Sequence, residues 1–364
     1  KVFCALSHSH RRPTPVLRSL TYHMFKSNGR LTPRQSVNLI YAMSSLNFID
    51  QALLGKLSSD LIPQIPDITK SHLIGSLLIC IGKIRWREKP LLDVLAEWLL
   101  NEIDQCRVSD LISLLLTLAT VSYVPDNVSN SFGKILSKID RSSVPEDVMW
   151  VQLVWSLVVL GKAKNDDIAS ILDPTFASRV ASDDPAHVGI HLKLMHINAY
   201  AKYLASSYNG PTLKVTFMDN LLITQSSKER SQQAYVSKVL HNFLPPPKYI
   251  KENIRTPWGF IVSAAVIVDN NKRPMALEES SCNFNEETLS PLPMGAQRIA
   301  ILVWNFKDFA FGSQELCGFN PLIIKILTKL GYKVVSVPYF DISESSKIVK
   351  SVQYFQKKIK DLDN

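Results

Sequence analysis

The first half of the chain contains apolar runs that end in a similar pattern, at residues 39–48, 77–86, 114–123 and 153–162. When Leu46, Ile84, Val121 and Leu160 are taken as equivalent positions, the pattern recurs about every 38 residues. Residues 4–6 begin an earlier, shortened copy. A period of this length predicts one helix-turn-helix unit per repeat.

A more polar amphipathic segment follows each run and supplies the second helix, at residues 51–61, 91–103, 127–139 and 166–172. Capping boxes at residues 32–35 and 143–146 indicate two helix starts. Because such a helix pair cannot bury its apolar faces alone, neighbouring pairs must stack. We therefore predict an α-helical repeat solenoid over residues 1–170.

Residues 171–247 keep a mostly helical pattern without a clear period, and we predict a helical capping segment there. The proline run at residues 245–247 stops the helical pattern and predicts a stiff connector. The predicted boundary of the next domain lies at this connector.

Strand patterns begin after the connector, at residues 258–268 and 298–304. A helix over residues 320–330, a stop at Gly331 and a strand over residues 332–337 follow, and a final amphipathic helix is predicted over residues 346–360. The β–α–β order requires a right-handed crossover. Residues 248–364 are therefore predicted to form a separate, small α/β module.

Composition excludes several classes of protein. The chain is 46% apolar and 20% charged, as in ordinary globular proteins, and its apolar runs are too short to cross a bilayer. The 5 cysteines are scattered without a Cys-x-x-Cys pair, which argues against a disulfide framework and a thiolate zinc site. We predict no membrane span, no metal and no cofactor. Since the chain begins at Lys1 without a leader pattern, we expect a processed form that has lost a targeting segment.

The charge distribution favours a polyanionic partner. The formal net charge is +9, and residues 1–49 carry Lys and Arg but no Asp or Glu. The inner groove of a solenoid is lined near the starts of its first helices. The basic, amide and aromatic residues predicted there are Arg30, Arg34, Gln35, Lys70, His72, Arg107 and Trp150. These side chains suit phosphate contacts and stacking on unpaired RNA bases, although solenoids also bind proteins.

Residues 321–339 carry a resemblance to a known domain. This segment resembles the carboxy-terminal RAP domain. The residues that match the motif of that domain are Leu327, Gly331, Tyr332, Val334, Val335, Pro338 and Tyr339. The resemblance implies a RAP domain over about residues 298–356 with a restriction-endonuclease-like fold. Val337 stands where isoleucine is usual.

A RAP domain behind a helical array is similar to the FAST-kinase-domain family of mitochondrial RNA-binding proteins. The resemblance implies a protein of the mitochondrial matrix that binds mitochondrial mRNA or precursor RNA. It also implies support of transcript stability, processing or translation, and RNA-processing proteins as further partners.

No kinase apparatus is present, because the chain has neither a Gly-x-Gly-x-x-Gly loop nor a His-Arg-Asp motif. Nucleases of the RAP-like fold need carboxylates on neighbouring strands to hold a divalent metal. This chain has Ser263, Leu302 and Trp304 where such acids are expected, so we predict no catalytic residue.

The α/β module is predicted instead to clamp RNA. The residues predicted to contact phosphates or bases are Trp304, Lys307, Lys325, Lys329, Tyr332, Lys333 and Tyr339. Two alternatives remain open at this point. One is a metal-dependent ribonuclease of the RAP type, and the other is a scaffold whose solenoid binds an RNA-processing enzyme.

Overall fold

A computed structural model describes residues 1–144, 146–181, 188–214, 225–277, 284, 291–342 and 347–363. The chain divides into two compact units. Unit 1 comprises Lys1–Lys162 and Phe309–Gly318, and unit 2 comprises Ala163–Asp308 and Phe319–Asn364. The described residues are mostly helical, with one small mixed sheet in the carboxy-terminal part.

The helices of unit 1 alternate between a first and a second member of a pair. They are α1 (Val2–His8), α2 (Thr14–Lys26), α3 (Pro33–Ser45), α4 (Gln51–Leu61), α5 (Ser71–Ile84), α6 (Lys89–Asn101), α7 (Val108–Val121), α8 (Asp126–Ser137) and α9 (Asp147–Val159). Helices α1, α3, α5, α7 and α9 each contact the next one in the series, while α2 packs on α4 and α6 on α8. The predicted second helices at residues 51–61, 91–103 and 127–139 are confirmed as α4, α6 and α8.

One backbone motif recurs where the first helices end. A residue with positive φ follows each of them: His10, Asn47, Arg85, Ser122 and Gly161. In each case the backbone N–H of the following residue donates to the carbonyl five positions earlier, at 2.8–3.1 Å. The donor and acceptor residues are Arg11 and Leu6, Phe48 and Met43, Trp86 and Ile81, Tyr123 and Leu118, and Lys162 and Leu157. This is the Schellman motif, in which a left-handed residue turns the chain out of the helix. Its recurrence follows the interval of about 38 residues and includes the amino-terminal copy.

Helices α5 and α7 run parallel at close approach. Gly75 faces Asp110 and Gly82 faces Thr117, so the pairing advances in the same direction along both helices. The Thr117 hydroxyl donates to the Leu78 carbonyl at 2.8 Å. The amino-terminal ends of these helices therefore lie at one edge of unit 1.

Of the two predicted capping boxes, the one at residues 32–35 is confirmed. Gln35 N–H donates to the Thr32 hydroxyl and the Gln35 side chain accepts from Thr32 N–H. The prediction of a capping box at residues 143–146 is wrong. Ser143 belongs to a short 3-10 helix that Asp140 caps, while α9 follows Glu146 without a side-chain cap; Pro145 lies outside the described residues.

Unit 2 combines helices with a five-stranded sheet. Its helices are α10 (Asn165–Leu172), α11 (Pro174–Val180), α12 (Val188–Tyr203), α13 (Ser227–Leu240), α14 (Asn320–Lys329) and α15 (Ile348–Lys360). Its strands are β1 (Lys251–Arg255), β2 (Ile261–Val268), β3 (Pro274–Met275), β4 (Gln297–Trp304) and β5 (Tyr332–Pro338). The order is β1-β2-β4-β5, and β3 pairs with β2.

The predicted β–α–β unit is confirmed. Strands β4 and β5 are parallel, from the pair Arg298 and Tyr332 to the pair Trp304 and Pro338, and all the other pairings are antiparallel. Gly331, at φ +87°, ends α14 as expected. The final helix is described from Ile348, so its predicted start at residue 346 lies outside the described residues.

Helices α13 and α15 pack on one face of the sheet. Val236 and Val239 of α13 share a buried core with Phe355 and Ile359 of α15 and with alternate residues of β2, β4 and β5. Helix α13 therefore belongs to the same compact unit as the sheet. The domain boundaries at residues 170 and 247 stay predictions; α13 precedes the proline connector and buries its apolar face on strands that follow it.

None of the described helices is both long enough and apolar enough to span a bilayer.

Candidate nucleic-acid interface

The starts of α3 and α5 enclose a cleft of about 550 Å³, here called the helix-start cleft. Arg34, Lys70 and His72 line this cleft with exposed side chains. The structure thus brings together three of the seven residues predicted for the solenoid groove. Gln35 is adjacent in sequence, but its side chain is bound in the capping box.

The helix-start cleft favours an anion. Within the described part of the chain, neither Arg34 nor Lys70 forms an ion pair, and Asp67 is the one carboxylate in the cleft lining. The amino-terminal ends of α3 and α5 add a partial positive charge, and α5 begins without a side-chain cap, so its first backbone N–H groups have no side-chain acceptor. Phosphate oxygens are ligands of suitable charge for this arrangement.

Two other basic residues predicted for unit 1 are held by neighbouring carboxylates. The Arg107 guanidinium donates to both carboxylate oxygens of buried Asp110, at 3.0 and 2.7 Å. These hydrogen bonds raise the pKa of Arg107. Arg30 Nε lies 4.0 Å from Asp60, which also pairs with Lys56. Their charges are therefore partly neutralised within the fold.

Three predicted base-stacking residues are buried. Trp150 is only 7% exposed and lies beneath the Arg141 guanidinium. Tyr332 is 1% exposed and stacks on Phe284 with ring centroids 5.1 Å apart. Trp304 is 6% exposed and donates from its indole nitrogen to the Ser336 hydroxyl. Because these rings pack in the interior, a base cannot stack on them in this structure.

The remaining predicted residues of unit 2 lie at two ends of β5. Lys329 ends α14 and Lys333 is the second residue of β5, whereas Tyr339 follows the end of β5. Tyr339 follows Lys333 by six positions along the strand, a distance of about 20 Å. Lys325 lies one turn before Lys329 on α14, and both side chains are exposed. The predicted clamp residues therefore form two separate groups.

An exposed aromatic cluster lies at the carboxyl ends of β4 and β5. Phe306 and Phe340 are 46% and 44% exposed, and both pack edge-on against Tyr339, at centroid distances of 5.8 and 5.2 Å. Sequence reasoning found Tyr339 and missed both phenylalanines. They could have been found as aromatic residues that directly follow two parallel strands, whose ends meet at one edge of the sheet.

Lys307, next to this cluster, forms an ion pair with Glu229 of α13. Burial raises the pKa of the Glu229 carboxyl, but hydrogen bonds from Lys307 and Ser226 outweigh it and leave the pKa lowered. Lys307 therefore fixes the loop after β4 to α13.

The strand positions expected to carry nuclease acids are occupied by packing residues. Ser263 is buried and accepts a hydrogen bond from Val303 N–H at 3.0 Å, and Leu302 is 2% exposed. In the part of the chain that the structure describes, no three His, Cys, Asp or Glu side chains lie close enough to hold a metal ion.

Comparison with known proteins connects both units to one family. Residues 111–181 match the model of FAST kinase-like protein, subdomain 1, and residues 191–276 match that of subdomain 2. FAST kinase domain-containing protein 4 of Rattus norvegicus is 27% identical over 94% of this chain and 55% of its own length. Its counterpart in Homo sapiens is 25% identical over 94% of this chain and 54% of its own length. The chain belongs to the FAST kinase-like family.

Other members of the FAST kinase-like family match at lower identity. FAST kinase domain-containing protein 1, mitochondrial, of Mus musculus is 22% identical over 86% of this chain and 40% of its own length. The chain spans about half the length of the two FAST kinase domain-containing protein 4 sequences it matches, covering 55% of the rat protein and 54% of the human one.

The match to FAST kinase-like subdomain 2 crosses the proline connector. It runs from α12 through α13 into β1, β2 and β3. This range agrees with the packing of α13 on the sheet, because helix and strands that share a core belong to one folding unit.

Proposed function

We propose that this protein binds single-stranded RNA and supports mRNA stability, processing or translation without catalysis of its own. The observation that carries the proposal is the helix-start cleft, where Arg34, Lys70 and His72 meet beside two helix amino termini. Cationic side chains and backbone N–H groups in one cleft bind phosphate, and phosphate contacts supply much of the affinity for nucleic acid.

The recurring Schellman motif supports a repeat array as the framework for this binding. Each helix pair of unit 1 ends its first helix in the same way, so successive pairs present equivalent edges. Under the proposal, the helix-start cleft is one of several such edges, and a nucleotide chain follows them from pair to pair.

The aromatic cluster of unit 2 supports recognition of unpaired bases. Exposed Phe306 and Phe340 offer ring faces or edges to a base that is not stacked in a duplex. We assign the RAP domain to the part of unit 2 that contains β4, α14 and β5, and propose Lys325, Lys329 and Lys333 as phosphate contacts at its other edge.

A mitochondrial location is part of the proposal. FAST kinase domain-containing proteins 1 and 3 carry the word mitochondrial in their names. The proposed partners are mitochondrial mRNA or precursor RNA, together with RNA-processing proteins, and the proposed compartment is the matrix.

Catalysis has less support than binding. A related protein of Mus musculus is named Fas-activated serine/threonine kinase. Neither a Gly-x-Gly-x-x-Gly loop nor a His-Arg-Asp motif occurs in this sequence, and the strand positions expected to carry nuclease acids hold Ser263, Leu302 and Trp304. Three carboxylates on these strands would have favoured a ribonuclease.

Binding of a labelled single-stranded RNA, measured between about 50 and 200 mM salt, tests the proposal. We expect affinity to fall steeply as salt rises, and we expect Arg34→Gln with Lys70→Gln to weaken binding and to reduce the salt dependence. Lys83→Gln with Lys89→Gln is the matched control, because both lysines are exposed and neither lines the helix-start cleft: Lys83 lies in the last turn of α5 and Lys89 begins α6. Affinity that does not respond to salt would rule out the proposed function.

A further inference from the structure

Helices α13 and α15 form one continuous layer over the sheet. Their inner faces share the core around Val236 and Phe355. Between the helices, the Tyr235 hydroxyl and the Ser351 hydroxyl are hydrogen bonded at 3.0 Å. The outer surface of this layer is thus a single face of unit 2, built from two segments that are distant in sequence.

This outer surface is strongly basic. The exposed basic side chains of the two helices are Lys350, Lys357, Lys358 and Lys360 on α15 and Lys228, Arg230 and Lys238 on α13. On α13, Lys238 lies opposite the buried face, and Lys228 and Arg230 lie on its two flanks. The two helices contain one carboxylate, Glu229, which is buried and paired with Lys307. Gln353 and Gln356 add exposed amides on α15. We call this surface the basic layer.

The charges of the basic layer are not neutralised by nearby acids. Within the described ranges, none of its seven basic side chains forms an ion pair. Of the carboxylates at its margin, Asp341 accepts a hydrogen bond from Tyr354 and Glu252 from His241, while exposed Asp361 directly follows Lys360 and forms no ion pair with a described residue. Like charges on one face repel each other, and an anionic partner removes this repulsion.

The structure assigns a second binding surface on this basis: we propose that the basic layer binds the phosphate backbone of RNA. Lys350 and Lys357 are two helical turns apart, about 10 Å along α15, so the charges extend along the surface and suit a chain of phosphates better than a single anion. Gln353, between them, can donate to phosphate or ribose oxygens.

A lipid surface fits this layer less well. Amphipathic helices bind membranes by inserting an apolar face among the lipids. The apolar face of α15 is already buried, with Phe355 at 0% and Ile359 at 5% exposure. Apart from Val349 at its start, which is 66% exposed, the face of α15 that remains available to a partner is polar.

This inference rests on the proposed RNA-binding function, but it concerns residues of unit 2 that the helix-start cleft does not include. It predicts that RNA binding depends on charges in both units. Variants made separately in each unit therefore show whether the proposed RNA-binding function or the proposed role of the basic layer is wrong.

The test compares salt-dependent RNA binding of the whole chain with that of three charge-matched triple variants. The first combines Lys350→Gln, Lys357→Gln and Lys360→Gln, and the second combines Lys228→Gln, Arg230→Gln and Lys238→Gln. The control combines Lys83→Gln, Lys89→Gln and Lys162→Gln, which removes the same charge from exposed positions of unit 1. All substitutions are on the surface, so each variant is expected to keep its melting temperature.

For the first two variants, we expect the slope of log affinity against log salt to become shallower by about 2, at about 0.7 per lost phosphate contact. The control variant should keep the wild-type slope. Suppose that the wild-type protein shows salt-dependent RNA binding and that all three variants have the same affinity and the same slope. The basic layer is then not an RNA-binding surface, although the proposed function stands.

Vesicles of phosphatidylcholine with phosphatidylserine provide the second arm. A basic-layer variant that loses vesicle binding and keeps full RNA affinity would overturn the inference in favour of lipid headgroups.

Discussion

Gly75 of α5 packs directly against the carboxylate of Asp110 of α7, and a Cβ at this position would collide with it. Asp110 cannot move away freely, because the Arg107 guanidinium binds both of its oxygens at 3.0 and 2.7 Å. The contact joins two neighbouring helix pairs of unit 1.

We expect Gly75→Ala to lower the free energy of unfolding by about 1–3 kcal/mol, the usual range for overpacking. Gly133→Ala on α8 is the control, since no atom lies within 4 Å of the added Cβ and alanine favours the helix. Denaturant unfolding should show opposite changes for the two variants. Equal stability of Gly75→Ala and wild type would contradict the close packing of α5 and α7.

The left-handed residues that end the first helices offer a second prediction. Ser122 has φ +51°, and its buried hydroxyl has no hydrogen-bond partner among the described residues. Because glycine adopts this conformation without steric cost, Ser122→Gly should raise the free energy of unfolding by about 0.5–1 kcal/mol. Gly161→Ala, at the equivalent position with φ +66°, should lower it by about 1 kcal/mol. Changes of the same sign in both variants would argue against a shared motif.

His196 makes stability depend on pH. Its ring stacks on Phe319 at a centroid distance of 4.0 Å, and burial, with a smaller effect of Lys193, lowers the pKa of His196 to about 3. The unfolded chain takes up this proton near the ordinary pKa of about 6.5, whereas the folded chain does not. Stability from the neutral ring is therefore complete above that pH and is lost as pH falls from about 6.5 towards 3.

We expect His196→Phe to remove up to about 1–2 kcal/mol of the stability loss between pH 7 and pH 5. Urea unfolding at the two pH values measures this difference. His23→Phe, at an exposed site, should retain the wild-type pH dependence. An unchanged pH dependence in His196→Phe would show that another group is responsible.

The aromatic cluster yields a prediction for RNA binding. Phe306→Ala with Phe340→Ala should weaken binding of single-stranded RNA by about 1–3 kcal/mol for each base that stacks on the cluster. Binding of a duplex should change little, because its bases are stacked already. Tyr22→Ala removes a similarly exposed ring, 59% exposed, from α2 as the control. Equal losses for single strand and duplex would exclude base stacking at this edge.

Much of the architecture could be predicted from the sequence, because it follows from local periodicity. The helix pairs, the Thr32 capping box, strand β4 and the β–α–β unit ending at Gly331 each arise from residues close together in the chain. Strand β1 was not predicted. Its pattern is short and polar, and it is stabilised by pairing with β2.

The candidate sites were less predictable. Arg34 and Lys70 were identified because the repeat places both at helix starts. Sequence could not show that Arg107 is paired with Asp110 or that Tyr332 is buried against Phe284, since each outcome depends on a neighbour supplied by packing. The same reason explains why Phe306 and Phe340 were missed.

The sequence by itself determined the elements of this protein: a period of about 38 residues, the helix and strand types, and a basic overall charge. Only the tertiary structure decided which charges remain available. It paired Lys307 with Glu229, joined α13 and α15 across more than a hundred residues of chain, and left their outer lysines exposed. Periodicity is a local property of the chain, whereas burial and ion pairing depend on contacts between distant segments.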